Sequence, residues 1–234
     1  MTQLDINQRI RNFLDLALQS FDRKEYDAAI ETLKSAEVLD EHNPEILYNL
    51  GVSYCRTGLY HTAITYFEKL LGLPYTTVDI LSTLKLIAFS HIKVSEYDAA
   101  LKKSQEGSDI SPADTTLLNL SGYCYEKLER YPDAIRLYRR ILEIDEDNSN
   151  ACNALAFILA KTGSDLNLAL QYAHKALKRN PDNPAYLDTA GYIYMKKGNS
   201  EKAKQLLKKA YAKMPDSEEI REHINEMLKI DPSP

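Results

Sequence analysis

The chain has 234 residues, of which 44% are apolar and 27% charged, with a net charge of −5 and an isoelectric point near 5.6. This is the balance of a soluble globular protein. It contains no run of about 18 apolar residues, which excludes a membrane-spanning helix, and its acidic balance argues against a nucleic-acid footprint.

The opening segment MTQLDINQRIRNFLDLALQ places acidic and polar residues where an export signal needs an apolar stretch. A cytoplasmic location is therefore expected. The three cysteines, Cys55, Cys124 and Cys152, are odd in number and scattered. They read as small apolar packing groups in a reducing compartment rather than as a disulfide framework or a zinc site. Charge is uneven along the chain. Residues 1–50 carry 5 basic and 10 acidic side chains, residues 161–214 carry 11 and 4, and the last twenty carry 2 and 6.

Two small residues twelve apart recur along the chain as Ala17/Ala29, Gly51/Ala63, Ala88/Ala100, Gly122/Ala134 and Gly191/Ala203, with Ala156/Ala169 one residue wider. Successive pairs are 34, 37, 34, 34 and 35 residues apart. A self-similar period of this length marks a stack of helical repeats. The units predicted in chain order are 10–43, 44–77, 81–114, 115–148, 149–183 and 184–217, each made of two antiparallel helices. In the second unit, Leu47, Leu50 and Tyr54, then Ile64, Phe67 and Leu71, follow the spacing of one helix face. Gly58, Gly163 and Gly198 stand where first helices should end. Pro44, Pro112, Pro181, Pro184 and Pro215 fall between units or at the first turn of a helix. Each small pair should let the two helices of a hairpin approach closely, with Tyr26, Tyr60, Tyr97 and Tyr131 filling the junctions. Residues 218–230 predict a last helix with Ile220, Ile224 and Met227 on one face and charges on the other, covering the apolar end of the stack. The closing DPSP should fray.

This pattern resembles the tetratricopeptide repeat: Leu50-Gly51 with Tyr54, then Tyr60, Ala63, Ile64 and Phe67. Ser121-Gly122 with Tyr125, Tyr131, Ala134, Ile135 and Tyr138 repeats it, as do Ala190-Gly191, Tyr194, Ala203 and Met214-Pro215-Asp216. The resemblance covers residues 10–217 and implies an all-α, right-handed superhelical solenoid of six units and a capping helix, treated as one domain over 1–234. The departures are the missing tryptophan, Ser104 and Gly107 in the third unit, and Glu41, Tyr75 and Glu146 in place of the closing proline. They make the third unit the expected soft spot.

A search for chemistry returns little. The five histidines are isolated, no phosphate-cradling glycine loop occurs, and no Cys/His or Ser-centred arrangement suits nucleophilic work. No enzyme, metal or cofactor is expected. The resemblance implies instead that the first helices line a concave groove for a partner peptide or helix. Side chains four apart share a helix face. The first row across the stack is Leu14, Tyr48, Lys85, Asn119, Asn153 and Asp188; the middle row is Leu18, Val52, Phe89, Tyr123, Phe157 and Tyr192; the third is Asp22, Arg56, Lys93, Lys127, Lys161 and Lys196.

The predicted partner-binding set follows from these rows. Asn49, Asn119 and Asn153 offer hydrogen bonds to a peptide backbone. Phe89, Tyr123, Phe157 and Tyr192 offer apolar contact, and Arg56, Lys93, Lys127, Lys161 and Lys196 favour acidic groups. Lys85 is followed by Phe89 rather than asparagine, which argues against the family's clamp for chaperone carboxylate tails. The function predicted is a protein–protein interaction scaffold with a partner carrying acidic residues. A self-assembling scaffold using its oppositely charged ends is the alternative, and an RNA-binding helical repeat comes third.

Overall fold

A computed structural model describes residues 2–74 and 78–230. The expectations for Tyr75 and for the closing DPSP lie outside the described residues. Within them the chain is all helical, with thirteen α-helices and no strand. They are α1 (Gln3–Asp22), α2 (Tyr26–Glu37), α3 (Pro44–Arg56), α4 (Tyr60–Leu71), α5 (Ile80–Lys93), α6 (Tyr97–Ile110) and α7 (Thr115–Lys127), followed by α8 (Tyr131–Ile144), α9 (Ser149–Lys161), α10 (Leu166–Arg179), α11 (Pro184–Lys196), α12 (Ser200–Lys213) and α13 (Glu218–Ile230). The described residues form two compact units, one up to Cys124 and one from Tyr125 onward.

The helix boundaries follow from local chemistry. First helices start on a side chain that satisfies their free amides: Asn43, Asp79, Asn148 and Asn183 each accept from N–H groups of the following turn. Pro44 and Pro184 occupy first-turn positions, where no N–H is required. α1 begins at Gln3, ahead of the expected start at residue 10, because Thr2 and Asp5 close a reciprocal capping box.

First helices end on a left-handed residue. Gly58, Gly163 and Gly198 adopt φ of 81°, 65° and 75°, and Lys24, Ser95 and Glu129 adopt 63°, 61° and 57°. These six positions are spaced by 34, 37, 34, 34 and 35 residues, the same intervals as the small pairs. The turn therefore belongs to the repeat, and three units make it without glycine.

In the first unit, α1 packs on α2, α2 on α3, α3 on α4, α4 on α5 and α5 on α6. Leu33, Ile46, Leu47, Leu50 and Leu70 form its main buried cluster. All twelve small-pair residues are buried, and at two pairs the nearest neighbour of the first-helix glycine is a large residue of the second helix. A Cβ on Gly51 would stand 2.5 Å from the Phe67 ring, and one on Gly191 2.8 Å from Leu207. The first-helix glycine thus admits the large residue four positions after the paired alanine, because successive turns of a helix cover the same face.

Ser104 and Gly107 of the third unit find matched partners. Ser104 Oγ lies 2.7 Å from Ser121 Oγ, and both side chains are buried. The absent side chain of Gly107 leaves room for Leu117, whose Cδ2 would sit 2.8 Å from a Cβ there.

In the second unit, α8 packs on α9, α9 on α10, α10 on α11 and α11 on α12. α13 packs on α12, burying Ile220 and Met227, and also on α11. This is the covering role expected of residues 218–230, with an added reach across the first-helix face. No described helix is long and apolar enough to cross a membrane.

Candidate functional site

Several side chains of the three first-helix rows have internal partners. In the middle row, Phe89 is 39% exposed and Tyr123 is 37% exposed, whereas Tyr192 is 7% exposed. Tyr60 contributes to this row, its ring centroid 6.2 Å from that of Phe89, and Tyr97 stands 6.4 Å from Tyr123. The second-helix tyrosines therefore buttress the rings of the following first helix.

The cations of the third row sit over rings. Lys93 Nζ is 5.3 Å from the Phe89 centroid, Lys161 5.7 Å from Phe157, and Lys196 5.0 Å from Tyr192. Each is a same-helix pair four residues apart, and each contributes about 0.5–1 kcal/mol at an exposed site. Arg56 has no ring four residues before it and lies over Phe21 at 5.9 Å instead. Lys127 is exposed at the end of α7.

The asparagines divide. Asn49 and Asn119 each donate from Nδ2 to a carbonyl of their own helix, Glu45 and Thr115, at 2.7 Å. Each Nδ2 thereby uses one of its two N–H donors, leaving the other N–H and the amide oxygen for outward chemistry. Asn153 Oδ1 is buried and accepts no hydrogen bond from any described residue. In the first row Lys85 pairs with Asp114 at 2.5 Å.

The main departure from the sequence reading lies in α13. Its His223 stacks on Tyr192 with centroids 4.4 Å apart and lies 6.1 Å from Phe157. The same imidazole Nδ1 donates to Asp188 of the first row, and Glu226 pairs with Lys196 at 2.8 Å. One helix thus touches all three rows of the second unit. The signal was present in the sequence, since Glu218, Glu219, Glu222 and Glu226 give α13 an acidic character opposite to the lysine row.

Two hollows result. One of about 570 Å³ is lined by α13 together with Lys127, Phe157, Lys161 and Tyr192. A smaller one of about 180 Å³ holds Glu126, Asp188 and Glu219. Burial, reinforced by Glu219, pushes the Glu126 carboxyl up to about 7 against the pull of Lys127 and Lys161.

The cysteines carry no comparable feature. Cys124 and Cys152 are buried, Cys55 is half-buried, and all three are free thiols. Burial pushes the Cys124 thiol up to about 12, leaving it inert as a nucleophile.

Sequence profiles describing the tetratricopeptide repeat match residues 18–58, 46–77, 117–151 and 162–222. The chain belongs to the tetratricopeptide repeat family. A tetratricopeptide repeat-containing protein of Pseudomonas aeruginosa, PA4667, is 32% identical over 131 residues, covering 56% of this chain and 22% of that protein. The chain thus spans about a fifth of that relative's length. A tetratricopeptide repeat protein of Parabacteroides merdae has the same fold, with a TM-score of 0.80 over 95% of this chain and 87% of that one, at 18% identity. The crystal structure of the APC/C hetero-tetramer Cut9–Hcn1 contains a chain with a TM-score of 0.73 over 92% of this chain and 42% of that one, at 14% identity. These likenesses establish a tetratricopeptide repeat fold, a scaffold typical of protein–protein interaction.

Proposed function

We propose that this protein is a non-enzymatic interaction scaffold, acting as one repeat domain over 1–234, whose first-helix face holds a segment of a partner protein. The observation that carries this reading is the exposed ring–lysine surface of Phe89/Lys93 with Tyr123, where a large apolar area and a cation meet solvent together. Aromatic anchors beside charge are the usual makings of a binding hot spot. Acidic groups of the partner meet Arg56, Lys93, Lys127 and Lys161, with its apolar side chains on Phe89, Tyr123 and Phe157, since His223 already covers Tyr192 and Glu226 already pairs with Lys196. Asn49 and Asn119 offer their amide oxygens, whereas the buried Asn153 Oδ1 is out of a partner's reach, contrary to the expectation from the sequence. The Cut9–Hcn1 assembly supports a partner-holding use of the fold, and the three free thiols are consistent with a reducing cytoplasm.

The test takes a partner captured from the native lysate and identified by mass spectrometry. Tyr123→Ala combined with Phe157→Ala should weaken its binding by roughly tenfold or more while the helical signal is retained. Unchanged binding by a folded double variant would refute the face.

A second reading is head-to-tail self-association, favoured by the acidic balance of residues 1–50 and the basic balance of residues 161–214. Light scattering across a salt series separates the two, since only self-association changes the mass as ionic strength rises.

A further inference from the structure

The 570 Å³ cleft of the second unit differs in kind from the rest of the face. One side comes from α7 and α9 and carries Lys127 and Lys161; the other comes from α13 and carries Glu219 and Glu222. Phe157 and Tyr192 line it between them. The Lys196–Glu226 ion pair ties α13 to α11, and Lys161, Glu219 and Glu222 are exposed. Among the described residues, none of these three has an ion-pair partner within 4.0 Å.

A cleft of this size falls in the range of about 300–1,000 Å³ that holds ligands. Lys127 and Lys161 face Glu218, Glu219 and Glu222, with Glu226 neutralised by Lys196. The cleft therefore carries both signs with a slight acidic excess, and a uniformly acidic segment loses to the carboxylates at least what it gains from the lysines.

Resting on the partner-binding reading above, we propose that this cleft takes an extended peptide segment of alternating acidic and basic residues around an aromatic or large apolar side chain. In an extended chain, successive side chains point to opposite sides. Acidic residues at alternate positions then face Lys161 while the intervening basic residues face Glu219 and Glu222, all at once. The apolar residue rests on Phe157. The partner is therefore amphoteric at this cleft.

The test uses the full-length protein and three fluorescent decapeptides, each with a central phenylalanine: one alternating Glu and Lys, one otherwise all Glu, one otherwise all Lys. Anisotropy titration at low salt should give roughly tenfold tighter binding for the alternating peptide than for either uniform one. Two single substitutions at exposed positions then change the preference without disturbing the core. Lys161→Glu cancels the charge of Lys127 on its side and should move the preference to the lysine peptide; Glu222→Lys adds a cation to the acidic side and should favour the glutamate peptide. Circular dichroism confirms that each variant is folded.

Equal or tighter binding of either uniform peptide by the unaltered protein overturns the proposal. So does an unchanged ranking in the two folded variants, or no binding of any peptide. The scaffold reading fails on a different result, retention of a captured partner by the Tyr123/Phe157 double variant, so the two failures are distinguishable.

Discussion

His223 of α13 donates from Nδ1 to Asp188 of α11, 2.9 Å from Oδ2 and 3.0 Å from Oδ1, with both residues buried. This contact fixes the last helix against the first-helix row, and the imidazole lies on Tyr192 at the same time. Removing the acceptor leaves a buried ring N–H unsatisfied, at about 1–3 kcal/mol. Asp188→Ala should therefore speed amide hydrogen exchange in α13 by roughly ten- to a hundredfold while leaving α8–α10 protected. Unchanged exchange would mean that Ile220 and Met227 alone hold the helix in place.

Glu126 sets a pH dependence. Its carboxyl ionises near 7 in the folded protein, against an ordinary value of 4.5. Because the folded value is raised, the associated stability is complete below about 4.5 and is lost as pH rises through 7. Glu126→Gln, neutral at every pH, should flatten this dependence and make the variant more stable than the unaltered protein at pH 8 by about 1–3 kcal/mol. Urea unfolding at pH 5 and pH 8 measures it; parallel curves for the two proteins would exclude the effect.

The helix-contact glycines should resist substitution. Gly51→Ala adds helix propensity of about 1 kcal/mol, but the new methyl meets the fully buried Phe67 ring at 2.5 Å. Overpacking of that kind costs about 1–3 kcal/mol, so the net change is a lower melting temperature. Gly191→Ala meets both the Leu207 side chain and, at 3.3 Å, its backbone N, which cannot rotate away. The second variant should lose more than the first.

The left-handed turns predict a gain. Glu129 holds φ of 57° with a side chain attached, a conformation that costs a non-glycine residue about 1–2 kcal/mol. Glycine removes that cost but makes the unfolded chain more flexible by up to about 1 kcal/mol. Glu129→Gly should thus raise stability by a few tenths to about 1 kcal/mol, read as a small increase in melting temperature. A decrease would show that the Glu129 side chain makes a compensating interaction.

Ser104 and Ser121 should behave as a unit. Ser104→Ala strands the buried Ser121 hydroxyl, at about 1–3 kcal/mol, whereas Ser121→Ala leaves Ser104 still donating to the Leu101 carbonyl and costs less. Replacing both removes the polar pair together, so the double variant should lose clearly less than the sum of the singles. A double-mutant cycle in urea gives the coupling directly, and simple additivity would contradict it.

Much of this molecule was legible in its sequence because its local geometry repeats. Small residues at fixed intervals, cap asparagines and prolines at helix starts, and a family pattern from Leu50-Gly51 to Met214-Pro215 all reflect rules acting within about one helical hairpin. Even Lys24, Ser95 and Glu129 could be placed in the turn register by counting from Gly58. The rows on the first helices came from the same arithmetic, since residues four apart must share a face. What counting could not supply was the fate of each row. Lys93, Lys161 and Lys196 rest on the rings of their own helices, Asn49 and Asn119 donate to carbonyls of their own helices, and Gly51 makes room for the Phe67 ring. Above all, α13 follows the last small pair, so no repeat register dictates its course. Its place across Tyr192, Asp188 and Lys196 is set by the angle at which its apolar face meets α11 and α12. That angle depends on side chains far apart in the chain, and only the folded structure brings them together.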